Sequence, residues 1–125
     1  MYKVAVKRSF VAEHFLIGGD WGAENFPHLH NYQVEAHLEG ESLDQHGYLV
    51  DIVVIKAHLE SLLNYFQNKM LNELPEFEGL NPSLERFAHI FCEALSSRIE
   101  SQNLSAITIK MWEDESAWAA YKQER

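Results

Sequence analysis

Cysteine is nearly missing from this sequence, which has only Cys92 among its 125 residues. One thiol cannot form a disulfide within the chain, and a single cysteine agrees with a reducing compartment. The sequence also lacks any run close to the roughly 20 apolar residues of a membrane-spanning helix. Its first residues, MYKVAVKRSF, alternate like a strand and do not resemble a signal peptide. We therefore expect a cytoplasmic protein without a membrane anchor.

Positive charge is scarce as well, with 10 lysines and arginines against 19 aspartates and glutamates and a net charge of −9. Nucleic acids need cationic partners for their phosphates, so this balance argues against broad binding of DNA or RNA. It still allows a local basic pocket for a small anion. The chain does have 46% apolar residues, with no break in composition. This predicts one globular domain over residues 1–125.

Two long segments alternate between apolar and polar residues with the period of a β-strand. The first spans residues 2–14 and the second begins at residue 28, with the glycine-bearing loop LIGGDWGAENFP between them. The even positions form the mostly apolar face of both segments: Tyr2, Val4, Val6, Arg8, Phe10, Ala12 and His14, then His28, His30, Tyr32, Val34, Ala36 and Leu38. We predict that the two strands are antiparallel partners.

Two helices are predicted in the middle of the chain. Asp51 can cap the first helix, which we expect Pro75 to end. Asn81 and Pro82 predict the N-cap and first residue of the second helix. The apolar positions at helical spacing are Val54, Ile55, Leu59, Leu62, Leu63, Phe66 and Met70 in the first helix, and Leu84, Ala88, Phe91, Leu95 and Ile99 in the second.

A third strand places Ile107, Ile109, Met111 and Glu113 on one face, and a weaker fourth strand covers residues 116–123. The order ββααββ predicts an α+β fold, a four-stranded antiparallel sheet with two helices over one face. The outer strands of an open sheet expose unpaired backbone groups that invite another chain. We therefore expect a homo-oligomer joined through sheet edges.

Three histidines, His14, His28 and His30, lie on the apolar face of the first two strands. In an antiparallel pair the end of one strand lies beside the start of the next, so the three imidazoles should converge at one end of the sheet. Three protein ligands with an open fourth position are typical of a catalytic zinc. A lone histidine on an apolar face is more often a hydrogen-bonded core residue, but a group of three favours zinc. We interpret the remaining histidines as ordinary residues and not as metal ligands: His37, His46, His58 and His89.

Several short motifs follow one another along the chain: FVAEH with His14, HLHNY with His28 and His30, GYLVDI, LNELPEFEGLNPSLE, and KMWED with Glu113. Together they resemble the family of 6-pyruvoyltetrahydropterin synthase and 6-carboxytetrahydropterin synthase, over nearly the whole chain. The resemblance implies a T-fold subunit, assembly into a trimer or hexamer with active sites between subunits, and zinc on the three histidines. It also implies dihydroneopterin triphosphate as substrate and, through the 6-carboxytetrahydropterin branch, a place in queuosine biosynthesis.

The resemblance further implies three substrate-binding residues. Glu113 corresponds to the buried glutamate that grips the pterin, and a carboxylate on an apolar face needs such a partner because its burial alone is costly. The alternative is that Glu113 leaves the sheet at a frayed end. Pro82-Ser83-Leu84-Glu85 matches the family motif Pro-Thr-x-Glu near the pterin, with serine for threonine, which indicates Ser83 and Glu85. An N-cap and a first-turn acid would explain both residues through helix stability alone.

The chain departs from the family pattern at the residues that transfer protons. The usual catalytic cysteine, four residues before the H-x-H motif, is Glu24 here. The usual Asp-His pair is Gln67-Asn68, whose amides do not titrate, and Cys92 falls on the buried face of the second helix. A branch of the family in malaria parasites carries glutamate for the cysteine and cleaves the side chain to 6-hydroxymethyldihydropterin. Glu24 is therefore a candidate catalytic base, unless it is simply an exposed loop acid.

Two functions remain open at this point. One is a zinc-dependent pterin lyase with Glu24 as its proton-transfer group. The other is a homologue that binds zinc and a pterin without turnover, or a zinc protein that acts on another small molecule.

Overall fold

A four-stranded antiparallel sheet in the order β1-β2-β3-β4 carries two helices in the computed structural model, which describes all of residues 1–125. The strands are β1 (Tyr2–His14), β2 (His28–Gly40), β3 (Ala106–Trp112) and β4 (Trp118–Glu124), and the helices are α1 (Ile52–Phe66) and α2 (Leu84–Ser96). The order ββααββ and the α+β class are as the alternation predicted. Neither helix has the length and apolarity that crossing a lipid bilayer requires.

The sheet buries the face that the sequence pattern selected. β1 and β2 pair along their whole length, with Phe10 opposite Tyr32 and His14 opposite His28. Even-numbered residues of β2 such as Val34 and Ala36 are fully buried against the helices. The same core contains a cluster of aromatic side chains, Phe10, Tyr32, Phe66, Phe87 and Phe91. Side chains alternate strictly along a strand, so the same register that fills the core also fixes the side on which the histidines lie.

The first helix ends earlier than predicted, at Phe66 and not at Pro75. Asn68 adopts the left-handed backbone conformation with φ of 59°, which asparagine tolerates better than most residues. The chain then runs beside β1, where Met70 forms a parallel bridge with Glu13, and Pro75 opens a separate short 3-10 turn. Val54 was also misplaced, because its side chain is 42% exposed and not part of the core.

The start of the second helix was predicted two residues too early. Ser83, not Asn81, is the N-cap of α2, and its hydroxyl accepts a hydrogen bond from the backbone N–H of Arg86 at 3.1 Å. The Asn81 side chain instead accepts from the backbone N–H of Ile17 at 2.9 Å. Ile99 is buried as predicted but lies beyond the end of α2.

One outer edge of the sheet is partly covered. The segment after α1 bonds to β1 through the backbone of Val11, whose N–H donates to the Gln67 side-chain oxygen at 3.2 Å and whose carbonyl accepts from Asn68 at 2.7 Å. The N–H of Glu13 donates to the carbonyl of Lys69 at 2.8 Å. The first half of β1 and the outer side of β4 have no strand beside them.

Candidate active site

The three predicted histidines come together at one end of the sheet. His14 pairs with His28 across the first two strands, and His30 is the next residue of β2 on the same face. The ring centroids are 4.6 Å apart for His14 and His28, 4.9 Å for His14 and His30, and 4.8 Å for His28 and His30. One ring nitrogen from each lies within 4.8 Å of the other two. The strand register predicted from sequence is what places them there.

Backbone carbonyls fix the proton on two of these rings. The Nδ1 of His14 lies 3.0 Å from the carbonyl oxygen of Pro82, and the Nδ1 of His28 lies 2.8 Å from that of Phe26. A carbonyl only accepts, so each Nδ1 carries the hydrogen and each Nε2 of a neutral ring keeps its lone pair. The Nε2 atoms of His28 and His30 are buried without a hydrogen-bond partner.

These orphaned nitrogens fit a bound metal ion. Buried polar atoms are nearly always satisfied, and metal-bound histidines commonly donate their other N–H to a carbonyl as seen here. Two nitrogens bound to one zinc-sized ion can lie at most about 4.2 Å apart, given metal–nitrogen distances of about 2.1 Å. In a tetrahedral site the nitrogens lie closer still, roughly 3.4 Å apart. The three ring nitrogens, which all lie within 4.8 Å of one another, would therefore have to move closer together to bind one ion.

Burial favours the neutral form of two of the imidazoles, those of His14 and His30. Burial lowers the pKa of His14 from 6.5 to about 4, despite the opposing hydrogen bond to Pro82. Burial also lowers the pKa of His30, against the opposing charge of Glu113. A neutral imidazole is the form that binds a metal.

Residues that are distant in sequence line one cavity beside the histidines. The cavity has a volume of about 300 Å³, and its lining includes His14, Glu24, Ser83, Glu85 and Glu113. A second cavity of about 450 Å³, on the other side of Glu113, is lined by His30, Asp114 and Glu115 among others. All the candidate binding and catalytic residues of the sequence thus lie at one end of the sheet.

Glu113 sits between the two cavities, one residue beyond the end of β3. Its Oε1 is 3.2 Å from the Nε2 of His30, but the two atoms are not aligned as a hydrogen bond. The side chain is 29% exposed, and the Glu113 N–H donates to Ala117 across the β3–β4 turn at 3.0 Å. Glu113 is therefore only half-buried and lies past the strand, unlike a residue of the sheet's apolar face.

The model of the 6-pyruvoyl tetrahydropterin synthase family matches residues 3–124. The chain belongs to this family. Its T-fold and its place in a family of pterin-processing enzymes are thereby confirmed. No curated protein matches the chain.

Several solved structures of the family superpose on nearly the whole chain. A Plasmodium vivax 6-pyruvoyltetrahydropterin synthase, in a form with alanine in place of a catalytic glutamate, has a TM-score of 0.85 at 15% identity. The Caenorhabditis elegans synthase has a TM-score of 0.81 at 25% identity, and the Plasmodium falciparum synthase has 0.83 at 17%. Each covers 99% of this chain and 98% of its own.

Glu24, at the position of the family's usual cysteine, lies in the short 3-10 turn Gly22–Asn25. Its backbone carbonyl accepts from the N–H of Leu16 at 2.8 Å, and its side chain is exposed toward the 300 Å³ cavity. Burial is the main cause that lowers the pKa of His14 and the pKa of His30, and the negative charge of Glu24 opposes this shift in both. The carboxylate therefore acts electrostatically on the histidine group.

Three asparagines hold the loop that carries Glu24, a role that the sequence did not indicate for any of them. Asn25 bonds to the backbone at three points, accepting from the Trp21 N–H at 2.7 Å and donating to the carbonyls of Leu16 and Gly19 at 3.0 Å. Asn72 both accepts from and donates to the backbone of Phe15, at 3.0 and 2.9 Å. Asn81 holds Ile17, as described above. Asparagine is common in loops for this reason. The partners of Asn25 are local, but those of Asn72 and Asn81 are 57 and 64 residues away, so no local spacing could reveal them.

The pair at the family's usual Asp-His positions lies away from the cavity. Gln67 and Asn68 bond to Val11 on the edge of β1, and neither lines the cavity with Glu24. Cys92 is fully buried, and burial raises the pKa of its thiol to about 11. Among these departures from the family pattern, only Glu24 therefore places a titratable group at the site.

Proposed function

We propose that this chain is a zinc-dependent lyase that cleaves the side chain of a dihydropterin. The observation that carries the proposal is the shared cavity, which brings a metal-ligand histidine, His14, together with Glu24 and Glu113. These three residues come from β1, from the loop before β2 and from the end of β3. A ligand group, an acid–base group and a carboxylate anchor are what a pterin-cleaving site requires.

Zinc is the metal proposed for His14, His28 and His30. Three neutral imidazoles with room for a further ligand form the donor set of catalytic zinc sites. When bound, such an ion supplies Lewis-acid chemistry to an oxygen of the substrate. The unsatisfied Nε2 atoms of His28 and His30 support the assignment.

Glu113 is proposed to anchor the pterin ring. Its carboxylate can accept hydrogen bonds from the 2-amino group and the adjacent ring N–H, a paired arrangement that gives both strength and orientation. Ser83 and Glu85 line the same cavity and remain proposed substrate contacts. The hydroxyl of Ser83 accepts from the N–H of Arg86 as the α2 cap, and its own O–H remains available to donate to a substrate.

Glu24 is proposed to transfer the proton. In a cleavage between C1′ and C2′ of the side chain, Glu24 takes the proton of the C2′ hydroxyl. C2′ and the rest of the side chain then leave as an aldehyde. The electron pair of the broken bond moves into the conjugated C=N of the ring, and the proton returns to C1′. The atoms balance without an oxidant. The catalytic glutamate of the Plasmodium vivax synthase supports this role for a glutamate within the family.

A binding function without turnover is the second candidate. It is favoured by the engagement of Gln67 and Asn68 with β1, because no second acid–base pair replaces the family's Asp-His. Incubating the zinc-loaded protein with dihydroneopterin and with its triphosphate, followed by mass spectrometry, separates the two. A lyase releases a shortened pterin and an aldehyde, whereas a binder returns the pterin unchanged.

We also propose that the chain works as a homo-oligomer, a trimer or hexamer, joined through sheet edges. The open first half of β1 and the outer side of β4 support this, since each presents unpaired backbone groups. The histidine end of the sheet would then lie near a subunit boundary.

A further inference from the structure

We propose that Trp21 is the aromatic platform of this site, on which the flat ring of a dihydropterin stacks while Glu113 binds its edge. The inference rests on the proposed pterin function and adds a binding residue to it. Trp21 lines the cavity of about 300 Å³ together with His14, Glu24 and Glu113. It precedes Glu24 by one turn of the same loop, so a single segment places both the indole and the proton-transfer group.

The indole rests with one face on Gly19. A methyl carbon added to Gly19 would lie 2.6 Å from Cη2 of Trp21, and 2.9 and 3.0 Å from the two ring atoms beside Cη2. These nearly equal distances place the added carbon above the face of the six-membered ring, because a carbon approaching the ring edge in its plane would lie farther from the two neighbours. Only a residue without a side chain therefore lets the backbone support the ring so closely.

The other face of the indole is uncovered. Trp21 is 44% exposed, and because Gly19 covers one face, this exposure belongs to the opposite face and the ring edge. The backbone of Trp21 is nevertheless fixed: its N–H donates to the side-chain oxygen of Asn25 at 2.7 Å, and its carbonyl accepts from the N–H of Glu24 at 3.3 Å. An indole that is held in place but left open can bury its free face when a ligand binds.

The remaining lining explains why a planar ring needs this residue. Leu16 and Leu84 are the other apolar side chains of the cavity, and Trp21 is its only indole or phenyl group. Glu113 can bind the edge of a pterin through hydrogen bonds, but a carboxylate does not cover the faces of the ring. An aromatic side chain offers a flat apolar surface of matching shape, and such stacking contributes to the binding of heteroaromatic bases.

The test is calorimetric titration of the zinc-loaded, full-length protein with 7,8-dihydroneopterin. Trp21→Ala should weaken binding by about 5- to 150-fold, the range expected when an aromatic platform under a base is removed, while zinc content stays the same. Trp21→Phe should recover most of this loss and Trp21→Leu much less, because phenylalanine keeps an aromatic face. Tyr48→Ala removes a similarly exposed aromatic side chain at the opposite end of the sheet and should bind like the wild type.

The outcomes separate this inference from the proposed function. Equal affinities of the wild type and Trp21→Ala would overturn the inference and leave the pterin function intact. Equal recovery by leucine and phenylalanine would overturn it as well, because any apolar cover would then suffice. If the wild type does not bind dihydroneopterin, the proposed function fails and the inference fails with it.

Gly19→Ala tests the geometry without removing the indole. Gly19 does not have a positive φ, so its backbone accepts an alanine and only the ring of Trp21 has to move. Gly19→Ala should therefore weaken dihydroneopterin binding in the wild type and have no further effect in Trp21→Ala, a strong coupling in a double-mutant cycle. Equal losses in both backgrounds would show that the glycine acts through the loop backbone, and would overturn the inference.

Quenching of tryptophan fluorescence by acrylamide distinguishes a ligand platform from a subunit contact. The difference between the wild type and Trp21→Phe isolates the signal of Trp21 from those of Trp112 and Trp118. We expect Trp21 to be quenched readily in the zinc-loaded protein without pterin, because its free face is open to solvent. A Trp21 signal that is already shielded in the absence of pterin would show that a neighbouring subunit covers the ring, and would overturn the inference.

Discussion

The Nδ1–H of His14 donates to the carbonyl oxygen of Pro82 at 3.0 Å. Pro82 is buried immediately before the N-cap of α2, so this bond ties the last residue of β1 to the start of the second helix. The carbonyl cannot donate, and it therefore fixes the hydrogen on Nδ1 and leaves Nε2 free. The helix start and the metal-binding tautomer are set by the same contact.

The first prediction concerns the metal. Purified protein should hold one zinc per chain, and His28→Ala should lose most of it after dialysis against a weak chelator, because two histidines bind more weakly than three. His46→Ala, in an exposed turn outside the histidine group, is the control and should keep its zinc. Atomic emission analysis measures both. Full zinc content in the His28 variant would contradict the assignment.

The second prediction is a pH dependence of stability in the metal-free protein. The pKa of His14 is 6.5 in the unfolded chain and about 4 in the fold, so between these values the unfolded state binds more protons. Stability is therefore lost as pH falls through this range. The His14 contribution amounts to about 2 kcal/mol between pH 7 and pH 5.

Urea unfolding in the presence of a chelator measures this contribution. His14→Asn places an amide N–H near the position of Nδ1, where it can donate to Pro82, but cannot be protonated, so its stability should fall less between pH 7 and pH 5. An identical pH dependence in both proteins would show that His14 is not held neutral by its burial.

The position of the histidines could be predicted because it depends on strand parity. Once β1 and β2 are antiparallel and their even residues are buried, His14 must lie beside His28. The end of α1 and the cap of α2 could not be predicted, because distant contacts decide them. Gln67 and Asn68 bond to Val11, and the Asn81 side chain is taken by Ile17. In both places these tertiary hydrogen bonds, and not the local helix propensity, decide where the helix ends or begins.

The third prediction assigns binding, not chemistry, to Glu113. Glu113→Gln should weaken pterin binding by about 1.5–3 kcal/mol, or roughly 10- to 150-fold, as expected for hydrogen bonds to a charged group. Zinc content should stay the same, because the three imidazoles are untouched. Calorimetry with dihydroneopterin decides the matter, and an unchanged affinity would assign Glu113 a structural role at the strand end.

The fourth prediction concerns assembly. Light scattering should detect a trimer or hexamer at micromolar concentration. Ala120→Pro, in the middle of β4, should reduce the assembly if this edge forms the contact, because proline removes a backbone donor and is poorly tolerated inside a sheet. The control is Ala120→Gly, which changes the same residue but keeps its backbone N–H. A stable wild-type monomer would contradict the proposal.

The last prediction concerns Glu24. If it moves the proton, Glu24→Gln should lower kcat by about 10²–10⁴-fold, the usual contribution of general acid–base catalysis, while zinc and pterin binding persist. Glu41→Gln, at the opposite end of β2, is the matched control and should retain full activity. Turnover that Glu24→Gln leaves unchanged would defeat the assignment.

The loop that positions Glu24 provides a sharper form of the same test. Asn25→Ala removes three hydrogen bonds that hold the loop, so kcat should fall while zinc content stays the same. If Asn25 acts only through Glu24, the double variant should be no slower than Glu24→Gln alone, a strong coupling in a double-mutant cycle. Asn64→Ala, exposed on α1, is the control for the loss of an asparagine side chain. Independent, additive losses in the double variant would show that the loop contributes to the reaction by a route that does not pass through Glu24.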